Sequence, residues 1–215
     1  MLQTLANAWK IPDLRKKILF TAFIVVIYRI GANIPVPFID IPGTGLIDSA
    51  SGTTFLNYLS MMTGDAFSMG TIFALSITPY INSSIIMQLL TIAIPKLEEM
   101  QKDGETGRKK IAEWTRYVTI GLAVFESIMM TIGFNNSGLL EEGNLFLQIC
   151  VITASFTAGS AFLMWVGERI TEKGIGNGIS VILLINILSS IPSDFVRLYA
   201  QFMEGKKIAM AALAA

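Results

Sequence analysis

The chain has 215 residues, 53% hydrophobic and 15% charged, with 16 basic and 16 acidic side chains and no histidine. Soluble domains carry about 25% charged residues, so this composition, with a mean hydropathy of +0.60, is that of an all-α, multi-spanning membrane protein. The missing histidine removes Ser-His and Cys-His catalysis and histidine-ligated metal sites, and the cancelling charges say nothing about a partner.

Met1 to Trp9 sets Leu2, Leu5 and Trp9 at helical spacing, followed by Lys10, Pro12 and Arg15-Lys16-Lys17. This predicts an amphipathic helix on the membrane surface, its tryptophan at headgroup level; a frayed terminus is the alternative. The stretch is too polar, and too far from a small-residue cleavage site, to be a removed signal peptide.

The first span is expected over 18–34, with Arg29 near its far end and Pro35 and Pro37 closing it. No Lys or Arg occurs from Asn33 to Gly70, and Gly43, Gly45 and Gly52 make the part before Phe55 an exposed loop. Phe55-Leu56-Asn57-Tyr58-Leu59-Ser60-Met61-Met62 is apolar but too short to cross a bilayer, which takes about 20 residues. The second span is expected over 70–94, with Pro79 inside it and Pro95 ending it.

On a helix, Tyr80, Ser84, Gln88 and Thr91 share one face of that span, and Ile81, Ile85 and Ile92 form a branched stripe beside it. Lipid offers polar groups no partners, so the polar face should look at protein or water. Two readings stay open. The short stretch and the span are the stopper and wall of a channel, or the span is an ordinary bundle helix whose small polar residues bond to neighbours.

A charged loop is expected over 96–113, a third span over 115–134 with Glu126 inside it, an acidic turn over 135–144, and a fourth span over 145–166. The lone Cys150 lies in that last apolar run, can form no intrachain disulfide and reads as packing. A charged turn over 167–178, a short fifth span over 179–191, an amphipathic connector over 193–204 and the start of a sixth span over 205–215 complete the chain. Basic residues gather before span one and in the loops 96–113 and 167–178, which places those segments and the N-terminus in the cytoplasm. Arg197, Lys206 and Lys207 depart from that pattern. No GxxxxGK[ST] loop occurs, so nucleotide hydrolysis is not expected.

The loops narrow the choice. Asp103-Gly104-Glu105-Thr106-Gly107-Arg108-Lys109-Lys110-Ile111 and the run Phe162-Leu163-Met164-Trp165-Val166-Gly167-Glu168-Arg169-Ile170-Thr171-Glu172-Lys173-Gly174-Ile175-Gly176-Asn177-Gly178-Ile179-Ser180 resemble the second and following cytoplasmic segments of the SecY family, bacterial protein-translocation channels. Tyr28-Arg29-Ile30-Gly31-Ala32-Asn33-Ile34-Pro35-Val36-Pro37 is similar to the end of that family's first span, and Pro79-Tyr80-Ile81-Asn82-Ser83-Ser84-Ile85-Ile86 to its second. Phe38 stands where a glycine often follows Pro-x-Pro. Asp65 and Met69 replace a common glycine and arginine, and Glu126 stands where an uncharged amide is common.

The resemblance covers the whole chain but only the first half of the family, whose ten spans form two inverted halves of five. It implies a SecY-type helical bundle half: a cytoplasmic N-terminus over 1–17, five transmembrane helices over 18–204 with a short re-entrant plug helix over 55–64, and a truncated sixth span over 205–215. It implies a pore ring of Ile81, Ile85, Ile179 and Leu183, a plug of Phe55 to Met62, a lateral gate with Gln88 and Glu126, and cytoplasmic partner contacts at Arg108, Lys109, Lys110 and Arg169.

The implied function is passage of unfolded secretory proteins across, and membrane proteins into, the bacterial plasma membrane, without enzymatic activity, cofactor or metal. Implied partners are the SecE and SecG subunits, the SecA motor or the ribosome, secretory signal peptides, membrane lipids, and the C-terminal half of the channel or a second copy of this half. The alternative is half of a small-solute secondary transporter built from inverted repeats. Such a carrier should show a compact polar site at midplane, where this chain has mostly Ile, Leu and Met. An intramembrane enzyme lacks both its histidine and a pair of intramembrane aspartates.

Overall fold

The computed structural model describes residues 11–39, 63–64, 66–136, 138–141 and 143–189, together with 191, 195–196, 199 and 202–203. The expected plug residues Phe55 to Met62, the N-terminal stretch 1–10 and the sixth-span start lie outside them. Among the described residues the regular structure is helical, joined by turns and by two isolated bridges, Pro35 with Thr71 and Ile39 with Leu140.

Helix α1 runs Pro12–Gly31. Proline at its start costs no helical hydrogen bond, and Asp13 and Arg29 complement the two ends of its dipole. It begins earlier than expected, so Arg15, Lys16 and Lys17 are its first turns rather than a separate surface segment. Asn33 Nδ2 donates to the Arg29 carbonyl at 2.8 Å, closing the far end.

Helix α2, Thr78–Ala93, is shorter than the expected second span. Pro79 sits in its first turn, where the missing N–H is an orphan anyway, so the proline starts the helix instead of lying inside it. The residues before it form turns and pair with the segment after α1: Val36 N–H donates to Gly70 at 3.0 Å and Ile72 N–H to Ile34 at 3.1 Å.

The expected loop 96–113 is also helical. Helix α3, Pro95–Lys102, is joined to α4, Glu105–Asn136, by Asp103 and by Gly104 at φ 77. The 32 residues of α4 span about 48 Å, well beyond a hydrocarbon core of about 30 Å, so its charged first turns project past the membrane. Helix α5, Leu145–Lys173, likewise continues past Val166, which makes Glu168, Arg169, Glu172 and Lys173 helical. Helix α6, Gly178–Ser189, follows the expected fifth span closely. Asn177 starts it as an N-cap, its Oδ1 accepting the Ile179 N–H at 3.0 Å.

What these helices bury identifies their solvent. The inward stripe of α4 is Thr115, Thr119, Ala123, Ser127 and Thr131, one residue per turn, while Tyr117, Phe125 and Met129 point outward. Small polar residues inside and large apolar residues outside is the arrangement of helices packed in lipid. The Ser83 hydroxyl of α2 meets that of Thr119 at 2.5 Å, and Ser127 meets Thr157 of α5 at 3.3 Å. Among the described residues, α4 and α5 are the two helices that by length and apolarity alone pass as membrane-crossing.

Two apolar clusters form. One joins Ile24 and Tyr28 of α1, Phe73 and Ile77, Leu163, Val166 and Ile170 of α5, and Ile182 of α6. The other gathers Val36, Ala74, Phe134, Ile152 and Phe156 near the ends of α1 and α4. Phe38 packs on its edge at φ 68, a left-handed conformation that explains why glycine would be at ease there.

Candidate functional site

The four expected ring residues divide. Ile81, in the first turn of α2, and Ile179 and Leu183, in the first two turns of α6, are half-buried against the first cluster and converge on it. Ile85, one turn further along α2, is 51% exposed and lies outside the cluster. The spacing on α6 continues from Ile179 and Leu183 to Ile187, which is exposed; the four-residue repeat could have added it to the set.

A buried polar chain braces this face. The Tyr28 hydroxyl donates to Asn186 Oδ1, and Asn186 Nδ2 donates to Ser76 Oγ at 3.1 Å. All three residues are fully buried or nearly so, and Arg29 adds a bond from its guanidinium to the Ile185 carbonyl at 2.9 Å. Ser76 stands at φ 53, a strained position for a residue with a Cβ, and its bond to Asn186 helps hold it there. The chain ties α1, the turn before α2 and α6 together. Its sequence signal was the single amide of Asn186 in an otherwise apolar helix.

Only the end of the expected plug is described. Gly64, at φ 62, lies so close to α6 that a Cβ there would sit 2.9 Å from Ser189 Oγ and 3.0 Å from the Asn186 carbonyl. A side chain at this position would be pushed into the helix carrying Leu183.

Of the expected gate residues, Glu126 on α4 is half-buried and accepts a hydrogen bond from Asn82 Nδ2 of α2 at 3.3 Å. Gln88 is exposed, six residues beyond Asn82 and so about 9 Å along the axis. The buried stripe of α2 is Pro79, Ser83, Met87 and Thr91. Thr91 therefore faces protein as expected, whereas Gln88 does not.

Arg108, Lys109 and Lys110 are exposed on the first turns of α4. Arg169 pairs with Glu172 at 2.9 Å and lies over the Trp165 ring at 5.6 Å, and the neighbouring Glu168 pairs with Arg116 of α4 at 2.9 Å. No cluster of His, Cys, Asp or Glu able to hold a metal occurs among the described residues.

The family model named SecY matches residues 71–215. The chain belongs to the SecY family. Protein translocase subunit SecY of Bacillus subtilis (strain 168) is 42% identical over 202 residues, covering 93% of this chain and 46% of the relative. That of Thermotoga maritima is 40% identical over 207 residues, covering 93% and 48%. The chain thus spans about half the length of the SecY relatives it matches.

Among solved structures, "The structure of a protein conducting channel" aligns over 87% of this chain and 41% of its own, with TM-score 0.58 and 20% identity. Sec61 in the canine ribosome-channel complex gives the same coverage and TM-score at 21% identity. These likenesses establish a shared fold.

Proposed function

We propose that the chain supplies the N-terminal half of a protein-conducting channel, passing unfolded secretory proteins across the bacterial plasma membrane and membrane proteins into it. The observation that carries this reading is the convergence of Ile81, Ile179 and Leu183 on one apolar cluster, in a chain of the SecY family. A ring of branched side chains excludes water and ions by dewetting and makes no directional bonds, so a moving polypeptide can part it. Ile85 completes the ring from its exposed position, because the side chains opposite it come from the other half of the channel.

In this reading α1, α2, α4, α5 and α6 are the five spans of an N-terminal half over 18–204, residues 1–17 lie in the cytoplasm, and 205–215 begin the sixth span. The projecting basic turns of α4 and the end of α5 share the start of α1 as the cytoplasmic side, by the excess of Lys and Arg there. Phe55 to Gly64 serve as the plug; of these, Gly64 lies against α6. Gln88 and Glu126 line a lateral gate between α2 and α4, with Asn82 holding the Glu126 carboxyl on the closed side. Arg108, Lys109, Lys110 and Arg169 meet a SecA motor or a ribosome; the ribosome is the partner named for the Sec61 structure. SecE, SecG and a second channel half complete the assembly. The driving energy comes from the motor, and the chain itself catalyses nothing.

The test is Ile85→Asn and Ile179→Asn in the complete channel. Each should raise resting ion conductance in planar bilayers and allow export of substrates with defective signal sequences. Wild-type conductance together with wild-type export selectivity overturns the ring.

A further inference from the structure

A constriction needs more than apolar side chains, because the helices that carry them must be held at a fixed separation. Ile81 belongs to α2, and Ile179 and Leu183 to α6. Apolar contact gives such helices little drive to stay together, since lipid tails are as apolar as leucine. A directional link lies beside the candidate ring. Asn186, three residues beyond Leu183, donates from Nδ2 to Ser76 Oγ at 3.1 Å. Ser76 immediately precedes Ile77, which is buried in the cluster that Ile81, Ile179 and Leu183 pack against.

Three further observations bear on that bond. Tyr28, Ser76 and Asn186 are each 2% exposed or less, so no water replaces a bond that is lost. Ser76 stands at φ 53, a left-handed conformation that persists in a residue with a Cβ only where its surroundings enforce it. Helix α6 is tied to α1 twice, by the Tyr28 hydroxyl on Asn186 Oδ1 and by the Arg29 guanidinium on the Ile185 carbonyl at 2.9 Å.

We propose that Asn186 is the positioning residue of the constriction and that its bond to Ser76 is the latch of the closed state. The proposal rests on Ile81, Ile179 and Leu183 being the pore ring. Room for a polypeptide is made by parting α6 from the start of α2. Because two bonds keep α6 with α1, the bond to Ser76 is the one that yields. Released, Ser76 leaves the left-handed region. The bond therefore holds the closed form and the backbone strain opposes it. An apolar residue at 186 would fill the space but could not receive Tyr28 and engage Ser76 at once.

The experiment is resting ion conductance in planar bilayers of the complete channel, with its second half and the subunits that copurify. Asn186→Ala and Ser76→Ala remove the bond and keep the strained backbone. Each should raise the open fraction between about threefold and about tenfold, the range for one hydrogen bond between membrane helices or in a protein core. Ser76→Gly removes bond and strain together and should leak less than Ser76→Ala. Ser127→Ala removes a buried hydroxyl contact between α4 and α5, away from the ring, and should leave conductance unchanged. Ile179→Asn is the control for the ring itself. Leak from Ile179→Asn with none from Asn186→Ala or Ser76→Ala overturns the latch and leaves the ring standing. No leak from any of the three overturns both. Leak from Ser127→Ala equal to that from Asn186→Ala also overturns the latch, because loosening any helix contact then suffices.

Discussion

Asn186 ties together more segments through side-chain hydrogen bonds than any isoleucine of the candidate ring, which has none to give. It sits at 0% exposure in a twelve-residue apolar helix and links hydroxyls from two other segments. A buried hydroxyl left without a partner costs about 1–3 kcal/mol, although bonds between membrane helices average nearer 0.6 kcal/mol because lipid-embedded reference states find other partners. Asn186→Ala orphans both Tyr28 and Ser76 and is expected to lower stability by about 2 kcal/mol, read as an earlier unfolding midpoint in a detergent titration. Tyr28→Phe, which removes one bond and keeps the ring stacked on Phe73 at 5.4 Å, should cost less than half as much. Equal losses for the two variants would show that the Tyr28–Asn186 bond alone secures α6 and that the link to Ser76 adds nothing. Sequence reading singled out Tyr28 only within a motif and passed over Asn186, because an amide in a short apolar helix has no identifiable partner until α1 and the turn before α2 are placed around it.

At the scale of elements, glycine decides how closely the helices approach. A Cβ on Gly159 of α5 would run into the Ile72 carbonyl, with Ile72 Cγ2 at 2.8 Å, and a Cβ on Gly178 of α6 would collide with the Gly167 carbonyl of α5. Backbone meets backbone at both places, so neither can be relieved by turning a side chain. Gly159→Ala should push the turns before α2 off α5 and cost about 1–3 kcal/mol, the range for overpacking a tight core. Thermal inactivation checks this, with Gly121→Ala as the control, since a Cβ there meets nothing within 4 Å. The second span shows how far periodicity could be trusted. Its apolar run is continuous from Met69 to Ile94, yet the helix starts at Thr78, because Pro79 prefers a first turn and the backbone of 70–72 finds its hydrogen bonds on 34–36. The charged loops were misread for the converse reason. Residues 105–113 carry many charges but no proline, and Gly107 is accommodated inside the helix, so the helix simply continues out of the membrane.

For the whole molecule, the exposed apolar surface is the outstanding feature. Leu89, Ile92, Phe146 and Tyr117 are each more than 60% exposed. Lipid accounts for much of this surface, but Ile85 and Ile187 lie on the side that carries the candidate ring. A half-channel should therefore bind a complementary half. Native mass measurement of the purified assembly in mild detergent is expected to show a species well above the 23.5 kDa of this chain, containing a second channel half. A lone 23.5 kDa species that still conducts ions would contradict the two-half architecture.

Membrane class, family and most of the helical segments were legible in the chain alone, since they follow from composition, apolar run length and motifs that are local in sequence. The helix over 178–189 was placed to within two residues because Gly178 and the break after Ile191 are local signals. Three-dimensional structure alone decided which face of each helix turns inward, that Thr91 is covered and Gln88 is not, and that Tyr28, Ser76 and Asn186 form one chain. In lipid, both faces of a helix are mostly apolar, so hydrophobicity alone does not mark the buried side as it does in water. Which face is buried depends on the shape and hydrogen-bonding groups of the neighbouring helix, and that neighbour is chosen only when the chain has folded.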